Sequence, residues 1–183
     1  MKPKLFIVTG SPMKFRELSI RLNEFFDCEQ RDWNEPEIQG TSEEIIKHKV
    51  ARAYEIFKHP VLVDDVAVYF DELNGFPGPY MKSFIECMPV QEMGVKFAGT
   101  KVKAVCLLGL ALSEEKIIIA EGIINGIVVK PKNKEHNGTY FDLFFQVDGT
   151  DKPMIEFTPE EKNEFSHRGL AMKNLLEILK KEN

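Results

Sequence analysis

The sequence predicts an α/β protein, and three stretches carry the prediction. Residues 4–9 form a short apolar run that passes through Gly10 into a segment with the 3.6-residue apolar period of a helix. A second capped amphipathic segment, residues 41–57, leads into the strand formers Val61, Leu62 and Val63. Residues 102–112 are almost continuously apolar, as expected of a strand covered on both faces.

With 183 residues, 43% hydrophobic and 29% charged, the chain can bury a full core as an ordinary globular protein of one domain, or as two lobes. Cys28, Cys87 and Cys106 lie far apart with no CxxC spacing, so neither zinc nor a disulfide framework is suggested, and a reducing cytoplasm is the natural home. The opening MKPKLFIVTG has too brief an apolar run for a signal peptide, and no segment approaches membrane-spanning length. A formal charge of -5 argues against general nucleic-acid binding. It leaves room for a single nucleotide, whose phosphates need only a few local cations and a metal.

In chain order, residues 4–9 are a strand, Ser11 is the N-cap of a helix and Pro12 its first residue. Phe15, Leu18, Leu22, Phe25 and Phe26 share one helical face, opposite Arg16, Glu17, Arg21 and Glu24. A strand, a glycine turn and a helix start bring free N–H groups and the positive end of the dipole together at Thr9, Gly10 and Ser11, with Lys14 nearby. Such a start suits a phosphate, although many α/β proteins begin this way for structural reasons alone. Residues 32–40 are a polar loop or irregular strand containing Glu37. Thr41 and Glu44 have capping-box spacing, and Ile46, Val50, Ala53, Tyr54 and Phe57 form the buried face of the second helix. His48 and His59 are expected to be solvated.

The next stretch, residues 62–82, holds the densest set of unusual residues. Its strand delivers adjacent carboxylates at Asp64 and Asp65 before apolar residues resume at Val66. Alternation along a strand implies that one aspartate faces the core and the other a cleft. A buried unpaired carboxylate is costly, so the pair needs a reason. Prolines and glycines in GFPGP, residues 75–79, predict a rigid shaped loop, and Lys82 follows where a helix can begin. Taken alone, the stretch reads either as strand, turn and helix start or as a metal-and-anion site.

Helices are expected over residues 79–88 and 91–98, then the strand 102–112, a turn at 113–116 and a strand from 117 that continues through 121–129. Asn125-Gly126 suggests a hairpin turn or a bulge. Residues 131–138, with Lys132, Lys134, Glu135 and His136, form a polar loop expected to be mobile. Residues 139–145 pack four aromatics around Asp142; these usually mean core, though Tyr140 or Phe141 could offer a ring face to a base. Thr158 begins another capping box with Glu161, and Leu175, Ile178 and Leu179 face inward on the terminal helix. Ser166-His167-Arg168 is either a solvated helix junction or a compact set of hydrogen-bond donors.

The blocks VTGSPMK (8–14), EIQG (37–40), residues 62–82, FFQVDG (144–149) and EKNEFSHR (161–168), in that order and spacing, resemble the inosine triphosphate pyrophosphatase family over almost the whole chain. GFPGPY and EKNEFSHR are the specific ones. The resemblance implies a single domain spanning residues 1–183 with a long central mixed sheet flanked by helices, in two lobes with a nucleotide cleft between them. It also implies a homodimer, which joins the cytoplasmic setting and the lack of nucleic-acid and membrane partners expected from composition. Its implied reaction is Mg²⁺-dependent hydrolysis of deaminated purine triphosphates (inosine, deoxyinosine and xanthosine triphosphate) to monophosphate and pyrophosphate.

Under that resemblance, Glu37 and Asp65 hold Mg²⁺ with support from Asp64, and Asp65, Glu37 and Lys14 are catalytic. Thr9, Gly10, Ser11, Lys14 and Lys82 receive phosphates. Lys162, His167 and Arg168 face the base, with Tyr140 and Phe141 available for stacking and Asp142 in the same pocket. Three positions depart from the family pattern: Ser11 replaces an asparagine, Asp64-Asp65-Val66 replaces Glu-Asp-Thr or Glu-Asp-Ser, and residues 139–143 replace Phe-Gly-Trp-Asp-Pro. The departures leave two alternatives to deaminated purines, namely the same chemistry on another nucleoside triphosphate or a nucleotide-binding homologue with little turnover.

Overall fold

The computed structural model describes residues 2–33, 35–131 and 140–182, the last segment without the side chains of Tyr140 and Glu182. The stacking role expected of Tyr140 and the loop carrying Lys132, Lys134, Glu135 and His136 therefore lie outside the described residues. The elements in order are β1 (Lys4–Val8), α1 (Pro12–Leu22), β2 (Asp27–Arg31), α2 (Ser42–Phe57), β3 (Val61–Phe70), β4 (Pro77–Gly78), α3 (Met81–Cys87), α4 (Val90–Lys96), β5 (Lys101–Ala111), β6 (Ile117–Val128), β7 (Phe145–Val147), α5 (Pro159–Phe165) and α6 (His167–Glu182). They build an open α/β sheet in the order β2-β1-β3-β5-β6-β7, with β4 paired to β3. The sheet is mixed: β1 runs parallel to β2 and β3, whereas β3–β4 and β6–β7 are antiparallel. Two compact units divide the chain, one of residues 1–65, 106–122 and 170–183, the other of residues 66–105 and 123–169.

In the first unit, Ser11 caps α1 by accepting the Lys14 N–H at 3.3 Å, and Pro12 opens the helix. The helix stops at Leu22, so Phe25 and Phe26, expected on its apolar face, instead follow it in a turn where Phe26 is buried. Strand β2 has no counterpart in the sequence reading, because Asp-Cys-Glu-Gln-Arg shows no apolar alternation. Backbone pairing to β1, from Lys4 opposite Asp27 to Val8 opposite Arg31, is what fixes it. Thr41 and Glu44 complete the capping box of α2, whose Ile45, Ile46, Val50 and Ala53 are buried. His59 is not solvated as expected: its ring lies over Phe6 at 4.7 Å, and its Nδ1 is buried without a partner.

The connections of this unit place the helices. The chain steps from β1 to β2 in one direction across the sheet and from β2 past β1 to β3 in the other. Right-handed crossovers then put α1 and α2 on opposite faces, with the direction of strand order reversing between β1 and β3.

The second unit is centred on Phe70, Phe144 and Phe145, all with no exposed surface. The Phe70 ring lies 5.4 Å from Phe97 and 6.0 Å from Phe144, edge-on or tilted as aromatic quadrupoles prefer. Gly75 and Gly78 take φ of +89° and +58°, which side-chain-bearing residues rarely adopt, and a Cβ on Gly78 would come within 3.2 Å of the Tyr69 ring. The loop is therefore shaped by its glycines. Asn125-Gly126 is neither turn nor bulge, since β6 runs through it unbroken. Gly126 is required there because β7 passes so close that a Cβ would collide with the Gln146 carbonyl. Among the described residues, no helix is long and apolar enough to cross a membrane.

Candidate active site

The adjacent aspartates of β3 are both buried, Asp64 at 4% and Asp65 at 9% exposure. Strand alternation still separates them, and each meets a lysine from a different helix. Asp64 Oδ2 accepts from Lys14 Nζ of α1 at 2.9 Å. Lys49 Nζ of α2 lies 3.7 Å from Asp65 Oδ1 and 3.4 Å from Glu37 Oε1, and donates to the Asp64 carbonyl at 3.0 Å. Lys49 thus joins Glu37 to Asp65, two carboxylates distant in sequence.

The electrostatics follow from burial and crowding. Burial pushes the Asp65 carboxyl up to about 6 from 3.8, with Lys49 opposing the shift, Glu37 and Asp64 adding to it and Lys14 again opposing. Burial alone would lower Lys49, but Asp65, Asp64 and Glu37 together hold it above the usual lysine value. Asp65 Oδ2 is buried with no hydrogen-bond partner. Among the described residues, no three His, Cys, Asp or Glu side chains are already gathered as ligands. The donor set is nevertheless all oxygen, with one unsatisfied buried oxygen, and so fits a small hard cation better than a soft one.

Beside these carboxylates lies the turn of Thr9, Gly10 and Ser11. Phe6 pairs with Val61 and Ile7 with Leu62, so continuing that register by two places brings Thr9 beside Asp64. The turn is pinned from β2 as well, where Gln30 Nε2 donates to the Thr9 carbonyl at 2.8 Å and the Thr9 N–H donates to the Arg31 carbonyl at 2.8 Å. With Thr9 buried and Gly10 exposed, the start of α1 presents backbone to solvent at a helix N-terminus.

The remaining expected site residues belong to the second unit. Lys82 is exposed in the first turn of α3, directly after the glycine-shaped loop. Asp142 and Lys162 form a buried ion pair at 2.7 Å, with side chains 4% and 12% exposed. His167, at 1% exposure, lies 5.4 Å from the Phe141 ring, and Arg168 is 6% exposed. The tripeptide of Ser166, His167 and Arg168 is therefore a buried junction, not a solvated one. Phe141 is 3% exposed against Phe145, which makes its ring core as placed and corrects its expected availability for stacking.

The chain as a whole matches a known family. The Ham1 family profile matches residues 5–178. The chain belongs to the Ham1 family. It is similar to the inosine triphosphate pyrophosphatase of Schizosaccharomyces pombe, at 35% identity over 97% of this chain and 96% of that protein. It is also similar to the inosine triphosphate pyrophosphatase of Emericella nidulans, at 33% identity over 94% of each. In fold it resembles a HAM1 protein from Coxiella burnetii, with a TM-score of 0.81 and 22% identity over 99% of this chain and all of that one. The Staphylococcus aureus Ham1 protein gives 0.73 and 20% over 98% of this chain and all of that one.

Within this Ham1 chain, the sequence reading missed Lys49. One signal for it exists: Ile45 and Ile46 are both buried, so the apolar stripe of α2 is wide enough for a lysine four residues after Ile45 to lie at its edge. Of the departures from the family pattern, Ser11 keeps a polar oxygen as N-cap and Val66 is a half-buried residue within β3.

Proposed function

We propose that this Ham1 chain is a Mg²⁺-dependent nucleoside triphosphate pyrophosphatase that clears deaminated purine nucleotides (inosine, deoxyinosine and xanthosine triphosphate). The observation that carries the reading is the pair of buried carboxylates Asp64 and Asp65, held beside an anion-suited turn with lysines on both sheet faces. Such a group is expensive to fold and has no packing purpose, whereas phosphoryl chemistry needs charge of both signs at close quarters.

Asp65 and Glu37 would hold the cation, with Asp64 in support. Bound Mg²⁺ supplies charge neutralisation and a lowered pKa for a coordinated water. The turn at Thr9, Gly10 and Ser11 receives phosphate oxygens, and Lys14 and Lys82 add positive charge. Water adds to the α-phosphorus as the bond to the bridging oxygen breaks, so that pyrophosphate leaves and the monophosphate remains. Lys162, His167 and Arg168 recognise the base by donating to a 6-keto oxygen. An adenine amino group would leave donors facing donors there. The chain acts as one domain over residues 1–183, as a cytoplasmic homodimer.

A second reading, the same chemistry on another nucleoside triphosphate, is favoured by two features: Phe141 is buried, and Lys162 is engaged by Asp142. One experiment addresses both. Inosine, xanthosine, guanosine, adenosine and pyrimidine triphosphates are incubated with and without Mg²⁺, and products are separated by ion-exchange chromatography. Equal monophosphate and pyrophosphate, formed from inosine and xanthosine triphosphates only with Mg²⁺, is the expected result. Diphosphate with orthophosphate would place attack at the γ-phosphorus and exclude this enzyme class.

A further inference from the structure

Two lysines of the chain itself are already paired with the carboxylates. Lys14 bonds Asp64 at 2.9 Å, and Lys49 lies within 3.7 Å of Asp65 and 3.4 Å of Glu37. An ammonium group and a divalent cation compete for the same carboxylate oxygens, because each is satisfied by the same concentration of negative charge. Asp64 and Asp65 are both buried, so solvent cannot easily take over the role of a displaced lysine. Both lysines are partly exposed, at 29% for each side chain, so each has room to swing away.

We infer that Lys14 and Lys49 are resident counter-ions of the carboxylate site: a divalent cation must displace them, and the phosphates of the incoming nucleotide receive them. This rests on the reading of Glu37, Asp64 and Asp65 as metal ligands and extends it to the order of events. Metal alone binds weakly, because it enters only by breaking existing ion pairs and leaving two lysines without anions. Nucleotide supplies the missing anions. Metal and nucleotide therefore strengthen each other's binding by the same factor, as linkage requires. Specificity for the metal-bound triphosphate is then a property of the lysines as much as of the carboxylates. Removing a positive charge from this site should therefore tighten one ligand and weaken the other.

The test measures Mn²⁺ binding by the electron-paramagnetic signal of the free ion, without nucleotide and with α,β-imido inosine triphosphate, which cannot be cleaved at the scissile position. Lys49→Met and Lys14→Met are each expected to bind Mn²⁺ alone roughly tenfold more tightly than wild type, the scale of one close charge pair near a protein surface. The enhancement of Mn²⁺ binding by the analogue should shrink in both variants. Lys49→Arg, which keeps the charge, should behave as wild type. If Lys49→Met does not fold by thermal melting, Lys14→Met decides. Unchanged or weaker binding of Mn²⁺ alone in the Met variants, with binding lost in Asp65→Asn, overturns the counter-ion role and leaves the metal site standing. Wild-type affinity in Asp65→Asn removes the metal assignment itself, and the inference with it.

Discussion

Replacing Asp65 with asparagine should make the metal-free protein more stable while destroying its activity. A carboxyl whose pKa is about 6 when folded and 3.8 in its ordinary state holds its proton more tightly in the native protein. Between these values the folded state binds more protons than the unfolded state, so stability falls as pH rises. Below about pH 4 the penalty is absent; above about 6 it is complete. The gap corresponds to about 3 kcal/mol at pH 7.5, and to roughly half of that at pH 5. Attraction to Lys49 is already contained in this figure, since that lysine pulls the pKa down while burial pushes it up. Asparagine fills nearly the same volume without the charge. In chelator at pH 7.5, Asp65→Asn should therefore raise stability by up to about 3 kcal/mol, or roughly 6 to 12 °C in Tm for a chain of this size. The margin should narrow towards pH 5 and vanish near pH 4. Calorimetric or fluorescence melts of both proteins across that range provide the measurement. A variant that melts below wild type at pH 7.5, or a wild-type stability that does not fall between pH 4 and 6, would refute the reasoning.

Other outcomes test separate parts of the molecule. Glu37→Gln should leave the melting temperature close to wild type, because the side chain is exposed, yet nearly abolish Mg²⁺-dependent pyrophosphate release in a coupled phosphate assay. Lys162→Met removes the ammonium group that bonds Asp142 at 2.7 Å in a buried pair, so urea denaturation should show a loss of about 3 to 5 kcal/mol. Gly126→Ala forces β6 away from the Gln146 carbonyl and should cost about 1 to 3 kcal/mol in the same assay, with little change in KM. Arg168→Ala should lower kcat/KM for inosine triphosphate roughly ten- to a hundredfold and for adenosine triphosphate much less, whereas Lys82→Ala should lower both alike.

The parts of the fold that were legible in the sequence are those fixed by local chemistry. Ser11-Pro12, Thr41 with Glu44, and Thr158 with Glu161 each mark a helix start, because a side-chain oxygen, joined at the last two by a first-turn carboxylate, satisfies N–H groups left without partners inside the helix. Likewise the nearly continuous apolar run of residues 102–112 reads as a buried strand, and β5 occupies Lys101–Ala111. What was not legible depends on partners far along the chain. Strand β2 is polar throughout and exists because β1 supplies its ladder, and Gly126 is a glycine because β7 passes over it. The site divides in the same way. Asp64 and Asp65 declare themselves as adjacent charges in an apolar strand, but Lys49 looks like any helical surface lysine until Glu37 and β3 are brought beside it.

The adjacency of the two aspartates also explains why they should not be interchangeable. Side chains one place apart on a strand point to opposite faces, and the two crossovers of the first unit cover those faces with different helices. Asp64 is consequently matched to the lysine of α1, directly beside the Thr9 turn, while Asp65 shares its lysine with Glu37 on the α2 side and keeps one oxygen unsatisfied. Under the proposed function, the first aspartate would govern where Lys14 sits, and the second would bind a cation. One pair of neighbouring residues can hold both jobs because a sheet turns a shift of one residue into a change of face. Loss of the first should therefore register chiefly in how the nucleotide binds, and loss of the second in how the metal binds.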